Sequence, residues 1–144
     1  VTAFDVLYHR DVDERSALAE WRRVLAPGGL LYVSDSALPC LKGPHDDAVH
    51  ARERYTVPLL AGRVRMAGFD VLKVTYWNFL LFPLAAVYRL TRRLQGSTTG
   101  SDLTGLPPFP VNDFLVFLLG TESKWLRWFR FPIGTSVALV ARKS

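Results

Sequence analysis

The sequence predicts an α/β protein built on an open, largely parallel sheet, and three observations support this fold class. Short apolar segments alternate with amphipathic stretches in the order strand, helix, strand, helix, strand. Turn residues separate these segments, most clearly at Pro27-Gly28-Gly29 and at Gly68. The 144 residues, 49% of them hydrophobic, suit one domain with a core and are too few for two. This order is typical of crossover units on a parallel sheet, so we expect residues 1–144 to form a single domain.

The first strand and helix are predicted within residues 1–25. Residues 1–3 have the character of the end of a buried strand, and a loop rich in aromatic and ionisable groups follows. Asp13 is a favourable N-cap residue, and Glu14 complements the dipole in the first turn of a helix. Apolar side chains then recur at helical spacing on one face, at Ala17, Leu18, Trp21, Val24 and Leu25. We expect this face to pack on the sheet.

A turn at Pro27, Gly28 and Gly29 ends that helix and precedes the second strand. Proline cannot continue a helix, and the two glycines allow the chain to reverse sharply. The next residues, from Leu30 to Ser34, form a short and mainly apolar run of the kind that is buried on both faces of a parallel sheet. A polar loop then extends to about Tyr55.

The second helix is expected to begin after Thr56, a favourable N-cap residue, and to extend to Ala67. Gly68 is the residue type that commonly follows the end of a helix. Residues 69–74 alternate between apolar and polar types, as a strand does. A last apolar strand is predicted from Val137 to Ala141.

Residues 77–132 interrupt this alternation, and we expect them to form an inserted helical hairpin. Two apolar stretches, from Trp77 to Leu90 and from Phe109 to Leu119, flank a linker from Gln95 to Gly105. The first stretch is shorter than the roughly 20 apolar residues that a membrane-spanning helix needs, and Pro83 interrupts it. The hairpin is therefore predicted to lie on the domain or on a surface rather than across a bilayer.

Three motifs carry a resemblance to a known family. The first is Phe4-Asp5-Val6-Leu7-Tyr8-His9, the second is the segment 23–31 around the Pro-Gly-Gly turn, and the third is Ala67-Gly68-Phe69-Asp70-Val71. In this order and at this spacing they resemble the carboxyl-terminal half of class I S-adenosylmethionine-dependent methyltransferases. They are most similar to the ubiquinone/menaquinone-biosynthesis C-methyltransferases, which often have Asp-Val-Leu-Glu-His where this chain has Tyr8 in place of the glutamate. The resemblance covers roughly residues 1–76 and 133–144.

The resemblance implies a Rossmann-like sheet that contains strands four to seven of the family, with the last strand antiparallel. It also implies S-adenosylmethionine as the cofactor, contacted largely through the backbone of Ala3, Phe4 and Asp5 at the carboxyl end of a strand. The glycine-rich cofactor loop of the family and its ribose-binding acidic residue have no counterpart in this sequence. We therefore expect these residues to be the carboxyl-terminal part of a longer enzyme and to be inactive alone.

Five residues on two loops are candidates for contact with a substrate: His9, His45, His50, Arg54 and Tyr55. His9 is the catalytic candidate, as a base or as a group that orients the substrate, and the alternative is a histidine that only holds its loop. The other four follow the second strand and are candidates for substrate binding, the alternative being a solvated, charged loop. His45 and His50 are five residues apart, not the four that place two ligands on one helix face, so no metal site is expected.

The predicted function is S-adenosylmethionine-dependent methyl transfer to a small acceptor, apolar or lipid-like, in the full-length enzyme. One alternative is another Rossmann-like enzyme, such as a nicotinamide dehydrogenase, and a further one is a non-catalytic module that binds a membrane surface or a partner. An antiparallel last strand would favour the methyltransferase, whereas an all-parallel sheet would favour the dehydrogenase.

Charge and aromatic content define the expected partners. The net charge of +5 permits anionic partners without selecting among them. Tryptophans beside arginines in residues 77–132 suit either a membrane interface or a lid over the substrate crevice. These arginines follow apolar helix faces and not a nucleic-acid-binding motif, so no nucleic acid partner is expected. The single cysteine, Cys40, fits a reducing compartment, and we expect a cytoplasmic location, with membrane association as the alternative.

Overall fold

A computed structural model describes residues 1–41, 50, 52–87 and 110–144. Its strands and helices are β1 (Thr2–Phe4), α1 (Glu14–Val24), β2 (Leu30–Ser36), α2 (Val57–Met66), β3 (Phe69–Trp77), α3 (Val111–Trp125) and β4 (Ser136–Lys143). A short 3-10 turn covers Pro39–Leu41, and residues 82–87 form a further helical segment between β3 and α3. The first five elements follow the predicted order of strand, helix, strand, helix, strand.

The four strands form one sheet in the order β1, β2, β4, β3. β1 pairs with β2 in parallel, whereas β4 lies between β2 and β3 and is antiparallel to both. The predicted α/β fold class with an antiparallel last strand is therefore confirmed. Because β1, β2 and β3 have the same direction, their ends at Phe4, Ser36 and Trp77 lie at one edge of the sheet, next to the start of β4 at Ser136. We call this edge the carboxyl edge.

The predicted N-cap and turn of the first helix are both present. The side chain of Asp13 accepts a hydrogen bond from the N–H of Arg15, which satisfies one of the donors left unpaired at a helix start. After the helix, Gly28 has a φ of +75°, a conformation that glycine adopts without steric cost. A Cβ atom on Gly29 would lie 2.8 Å from the carbonyl oxygen of Ala26, so this position also requires glycine. The turn then leads directly into β2.

The predicted ends of the second helix are also observed. The Thr56 hydroxyl accepts a hydrogen bond from the N–H of Leu59, and Gly68 has a φ of +84° just past the last turn. β3 extends to Trp77, three residues beyond the predicted end at Val74. The additional residues pair with β4, a partner that is distant in sequence and leaves no local signal.

The hydrophobic core joins the sheet to the helices. It contains apolar side chains of β2, β4, α1 and α2 that are almost fully buried: Leu31, Val33, Val137, Leu139, Ala141, Leu18, Leu60 and Val64. On β4 the buried residues alternate along the strand, as the two-residue period of a strand requires. Each large side chain in this position stabilises the fold by roughly 1.5–3 kcal/mol.

The inserted region begins after β3 and returns to the sheet at β4. The buried carboxylate of Glu122, on α3, accepts hydrogen bonds from the N–H groups of Phe79 (2.9 Å) and Leu80 (3.0 Å). Lys73 of β3 donates to the carbonyl oxygens of Leu126 and Arg127, where the helix dipole is negative. No helix within the described ranges is long and apolar enough to cross a membrane.

Candidate active site

The chain leaves the sheet at the end of β1 through the predicted cofactor-binding residues Ala3, Phe4 and Asp5. Ala3 is buried, whereas the side chain of Phe4 is 60% exposed. The ring of Phe4 lies 5.2 Å from that of Tyr32 on β2. Asp5 has a φ of +51°, and its N–H donates to the carbonyl oxygen of Ser34 (2.8 Å). This segment therefore turns away from the sheet and presents an aromatic ring and a carboxylate at the carboxyl edge.

A buried carboxylate on the neighbouring strand fixes the loop that follows. Asp35 is fully buried, and its two oxygens accept hydrogen bonds from the N–H groups of Leu7 (3.2 Å) and Tyr8 (3.1 Å). Burial removes water from the carboxylate and raises the pKa of Asp35 to about 7, although the hydrogen bonds from Tyr8 and Leu7 oppose this shift. The charges of Asp5 and Glu14 raise the pKa slightly further.

Tyr55 holds the same loop from the other side. Its side chain is fully buried, and its hydroxyl donates to the carbonyl oxygen of Leu7 (3.2 Å). Its backbone N–H donates to Ser36 (2.8 Å), and its carbonyl oxygen accepts from Leu38 (3.0 Å), which ties it to the end of β2. Burial raises the pKa of the Tyr55 phenol well above its usual value. Its described contacts are with the loop, the end of β2 and the guanidinium of Arg63, and a contact between Tyr55 and substrate stays a prediction.

Arg54 lies in the interior next to Tyr55. Its side chain is only 5% exposed, and its guanidinium donates to the carbonyl oxygen of Ala37 (3.1 Å). The alternative that Arg54 forms part of a solvated, charged surface does not agree with this burial. A substrate contact by Arg54 stays a prediction, and the observed bond shows that the residue helps to order the chain after β2.

His9 and His50 meet at this edge although they are 41 positions apart in sequence. Their ring centres are 5.9 Å apart, and the N–H of Arg10 donates to the carbonyl oxygen of His50 (2.9 Å). The N–H of Asp11 donates to Nδ1 of His9 (3.3 Å), and the carboxylate of Asp11 lies 3.8 Å from the same nitrogen. These contacts hold the His9 ring within its own loop, and its role towards a substrate stays a prediction. His45 lies outside the described residues.

The inserted region starts and ends beside these residues. The indole N–H of Trp77 donates to the hydroxyl of Ser34 on β2 (3.1 Å). The amide of Asn78, which has a φ of +58°, donates to the hydroxyl of Ser136 (3.4 Å). The stacked rings of Phe79 and Phe131, 5.0 Å apart, join the two ends of the insertion. The insertion is therefore anchored at the carboxyl edge, where the candidate cofactor and substrate residues lie.

A second group of charged residues belongs to a different pocket. Glu14, Arg52, Glu53 and Arg63 contribute to a pocket of about 620 Å³ that is also lined by α1 and α2. Arg63 contacts both glutamates, Arg52 lies 3.1 Å from Glu14, and the bond from Arg63 lowers the pKa of Glu53. The pocket lining contains none of Ala3–Asp5. The cluster nevertheless borders the candidate site, because the Arg63 guanidinium lies 5.5 Å from the centre of the Tyr55 ring and the N–H of Arg52 donates to the carbonyl oxygen of Tyr8 (2.8 Å). Nowhere in the described ranges do three potential metal ligands come together.

Two carboxylates with defined roles, Asp35 and Glu122, were not identified from the sequence. Both interrupt otherwise apolar segments, Asp35 at the end of β2 and Glu122 within α3. A charged residue in such a segment is expected to be paired when it is buried. A charged residue within an apolar segment therefore marks both carboxylates in the sequence. It does not identify their partners, because the backbone N–H groups that they bind are 27 to 43 positions away in sequence.

The sequence matches no protein-family model and no curated protein. The fold does match solved structures of methyltransferases. Phosphoethanolamine N-methyltransferase 2 from Haemonchus contortus, in complex with S-adenosyl-L-methionine, has a TM-score of 0.54 at 16% identity, over 99% of this chain and 32% of that chain. An S-adenosylmethionine-dependent methyltransferase from Mesorhizobium loti has a TM-score of 0.53 at 12% identity, over 99% of this chain and 60% of that chain.

A putative sarcosine dimethylglycine methyltransferase from Galdieria sulphuraria gives a third match, with a TM-score of 0.52 at 16% identity, over 99% of this chain and 52% of that chain. The chain thus spans about one third to three fifths of the length of these solved structures. It has the fold of class I S-adenosylmethionine-dependent methyltransferases, as predicted. The more specific similarity to the ubiquinone/menaquinone-biosynthesis enzymes stays a prediction.

Proposed function

We propose that these residues form part of an S-adenosylmethionine-dependent methyltransferase and supply one side of its active site. The observation that carries the proposal is the position of β4, which is antiparallel and lies between β2 and β3. This arrangement disfavours the all-parallel sheet of the dehydrogenase alternative. The similarity in fold to three methyltransferases supports the same conclusion.

The end of β1 is suited to hold the cofactor. In open α/β sheets, ligands bind beyond the carboxyl ends of the strands. Phe4 presents an exposed ring there, and the left-handed conformation of Asp5 directs the chain out of the sheet. The outer edge of β1 has no partner strand among the described residues. Ala3, Phe4 and Asp5 would therefore hold one side of the cofactor, with the other side contributed by a further part of the protein.

The protein contributes mainly alignment to this reaction. The sulfonium group of S-adenosylmethionine, when bound, supplies the electrophilic methyl group. His9 would orient the acceptor through its imidazole ring, while Asp35 and Tyr55 keep the His9 loop in place. Correct orientation of two reactants is a large source of rate enhancement, so rigid support of this loop serves catalysis directly.

The acceptor is proposed to be small and apolar or lipid-like. The carboxyl edge is flanked by aromatic side chains of the insertion, including Phe79 and Phe131, which stack on each other. Apolar side chains near a reaction site exclude water and favour apolar ligands. His9, His50 and Arg54 are the polar groups proposed to fix the orientation of such a ligand.

Binding of S-adenosylmethionine measured by titration calorimetry tests the proposal. The complete gene product is compared with the 144-residue chain, and a nicotinamide dinucleotide is titrated in parallel. We expect saturable binding of S-adenosylmethionine only by a protein that contains both sides of the site. Stoichiometric binding of S-adenosylmethionine by the 144 residues alone would contradict the proposal that a further part of the protein supplies the other side of the site. Binding of the dinucleotide, with no response to S-adenosylmethionine, would support the dehydrogenase instead.

A further inference from the structure

The segment from α3 to β4 exposes an unusual amount of aromatic and aliphatic surface. Residues 111–130 include seven large apolar side chains that are classed as exposed: Val111, Phe114, Val116, Phe117, Trp125, Trp128 and Phe129. Trp128 is the extreme case at 79% exposure, and Phe117 is 67% exposed. The only buried side chain of α3 is the carboxylate of Glu122. We call the surface of residues 111–130 the aromatic face. Exposed apolar side chains concentrated in one segment are typical of a contact with a partner or a membrane.

Basic side chains without acidic partners lie next to these aromatic groups. Lys124, Arg127 and Arg130 alternate with aromatic and aliphatic residues, and all three are exposed. Within the described part of the chain, no carboxylate lies within ion-pair distance of any of them. Residues 123–131 contain no acidic residue, so this end of the aromatic face carries a charge of +3. It is therefore complementary to an anionic surface.

The aromatic face is attached to the carboxyl edge of the sheet. Glu122 bonds to the turn after β3, and the N–H of Phe131 donates to the hydroxyl of Thr75 (2.8 Å). Lys73 fixes the end of the helix to β3. These contacts hold one end of the aromatic face beside the candidate site, while its apolar side chains remain exposed.

We propose that the aromatic face binds the surface of an anionic membrane. Tryptophan and phenylalanine side chains are favourable at the boundary between headgroups and acyl chains, and basic residues are attracted to anionic headgroups. If two copies of this chain associated symmetrically through the aromatic face, the +3 charge of one copy would lie close to the +3 charge of the other. Charge complementarity thus favours an anionic lipid surface over self-association. This inference is independent of the proposed methyl transfer, because binding needs neither cofactor nor acceptor.

Trp77 is not part of this surface. Its side chain is half-buried and its indole donates to Ser34, so it belongs to the sheet. The exposed aromatic groups nearest in sequence to the basic residues are those that follow Glu122, namely Trp125, Trp128 and Phe129. This distinction separates residues that anchor the insertion from residues that are free to enter a membrane.

Co-sedimentation with vesicles tests the proposal on the complete gene product. Vesicles of phosphatidylcholine alone are compared with vesicles that also contain phosphatidylserine. The variant Arg127→Gln/Trp128→Ser removes one charge and one exposed aromatic side chain from the aromatic face. Arg65→Gln/Met66→Ser is the matched control, because it removes an exposed basic and an exposed apolar residue at the end of α2. Thermal unfolding of each variant shows whether the fold is retained.

We expect the wild type and the control to bind vesicles with phosphatidylserine, and the partition coefficient of Arg127→Gln/Trp128→Ser to be about tenfold lower. High salt should weaken binding of the wild type, because the electrostatic part is screened. Absence of binding by the wild type overturns the proposal, as does an equal loss in both variants. Light scattering gives the oligomeric state of the wild type and of the variant. If the wild type is a dimer that does not bind vesicles, and Arg127→Gln/Trp128→Ser is a monomer, a second copy of the chain covers the aromatic face and the proposal is wrong.

Discussion

The sheet and the inserted region differ in where their apolar side chains lie. In β2 and β4 the apolar side chains that face the core, such as Leu31 and Leu139, are almost completely buried, and the buried carboxylate of Asp35 has two backbone donors. In α3 the pattern is reversed, since the carboxylate of Glu122 is buried and five large apolar side chains are exposed, namely Val111, Phe114, Val116, Phe117 and Trp125. The difference indicates that the sheet buries the apolar side chains of its core face within the described residues, whereas the insertion has an apolar surface available for a further contact.

The first prediction compares one large side chain from each region. Leu139→Ala, in strand β4, should reduce the free energy of unfolding by about 2–5 kcal/mol, because it leaves a cavity in the hydrophobic core. Phe117→Ala, on the exposed side of α3, should change it by less than about 0.5 kcal/mol. Urea unfolding followed by circular dichroism measures both. Equal losses would contradict the proposed difference between the regions.

The second prediction concerns the buried carboxylate of the sheet. Since burial raises the pKa of Asp35 to about 7, folded Asp35 holds its proton at pH values where the unfolded chain has lost it. Its stabilising contribution is therefore greatest at low pH and is lost as the pH rises through about 7. Between about pH 5 and pH 8 the free energy of unfolding should fall by roughly 3 kcal/mol because of this one group.

The variant Asp35→Asn isolates the contribution of Asp35 to the pH dependence of stability, because the asparagine side chain does not titrate. We expect the stability of the wild type to fall more steeply with pH than that of Asp35→Asn, as measured by urea unfolding across the same pH range. Asp70→Asn is a control, since Asp70 is an exposed carboxylate at the opposite edge of the sheet. If the wild type and Asp35→Asn have the same pH dependence, the account of Asp35 is wrong.

The third prediction concerns the attachment of the insertion. Glu122→Ala removes the acceptor for the N–H groups of Phe79 and Leu80, and should reduce the free energy of unfolding by about 1–3 kcal/mol. Glu122→Gln keeps one acceptor oxygen and should lose less. Hydrogen exchange should show faster exchange at Phe79 and Leu80 in both variants, while Ser123→Ala, next to Glu122 on the exposed side, leaves it unchanged. Unchanged protection in Glu122→Ala would contradict this role.

The sequence contains enough local information to predict the sheet but not the site. Asp13, Gly28, Thr56 and Gly68 act on neighbours within a few residues, so their predicted roles as caps and turns are confirmed. The antiparallel last strand followed from the family resemblance. The burial of Arg54 and Tyr55 depends instead on partners far away in sequence, and the same is true of the bonds made by Asp35 and Glu122. Local patterns of residue type do not contain these contacts.

The central claim is that the end of β1 holds the cofactor, and two matched double variants of the complete gene product test it most directly. Phe4→Ala/Asp5→Asn changes the exposed ring and the carboxylate at the carboxyl edge, and asparagine tolerates the left-handed backbone of residue 5. Leu30→Ala/Asp70→Asn makes the same kinds of change at the opposite edge of the sheet. Titration calorimetry with S-adenosylmethionine should show affinity reduced about tenfold or more in the first variant and unchanged affinity in the second. Equal affinity in both variants and the wild type would contradict the claim.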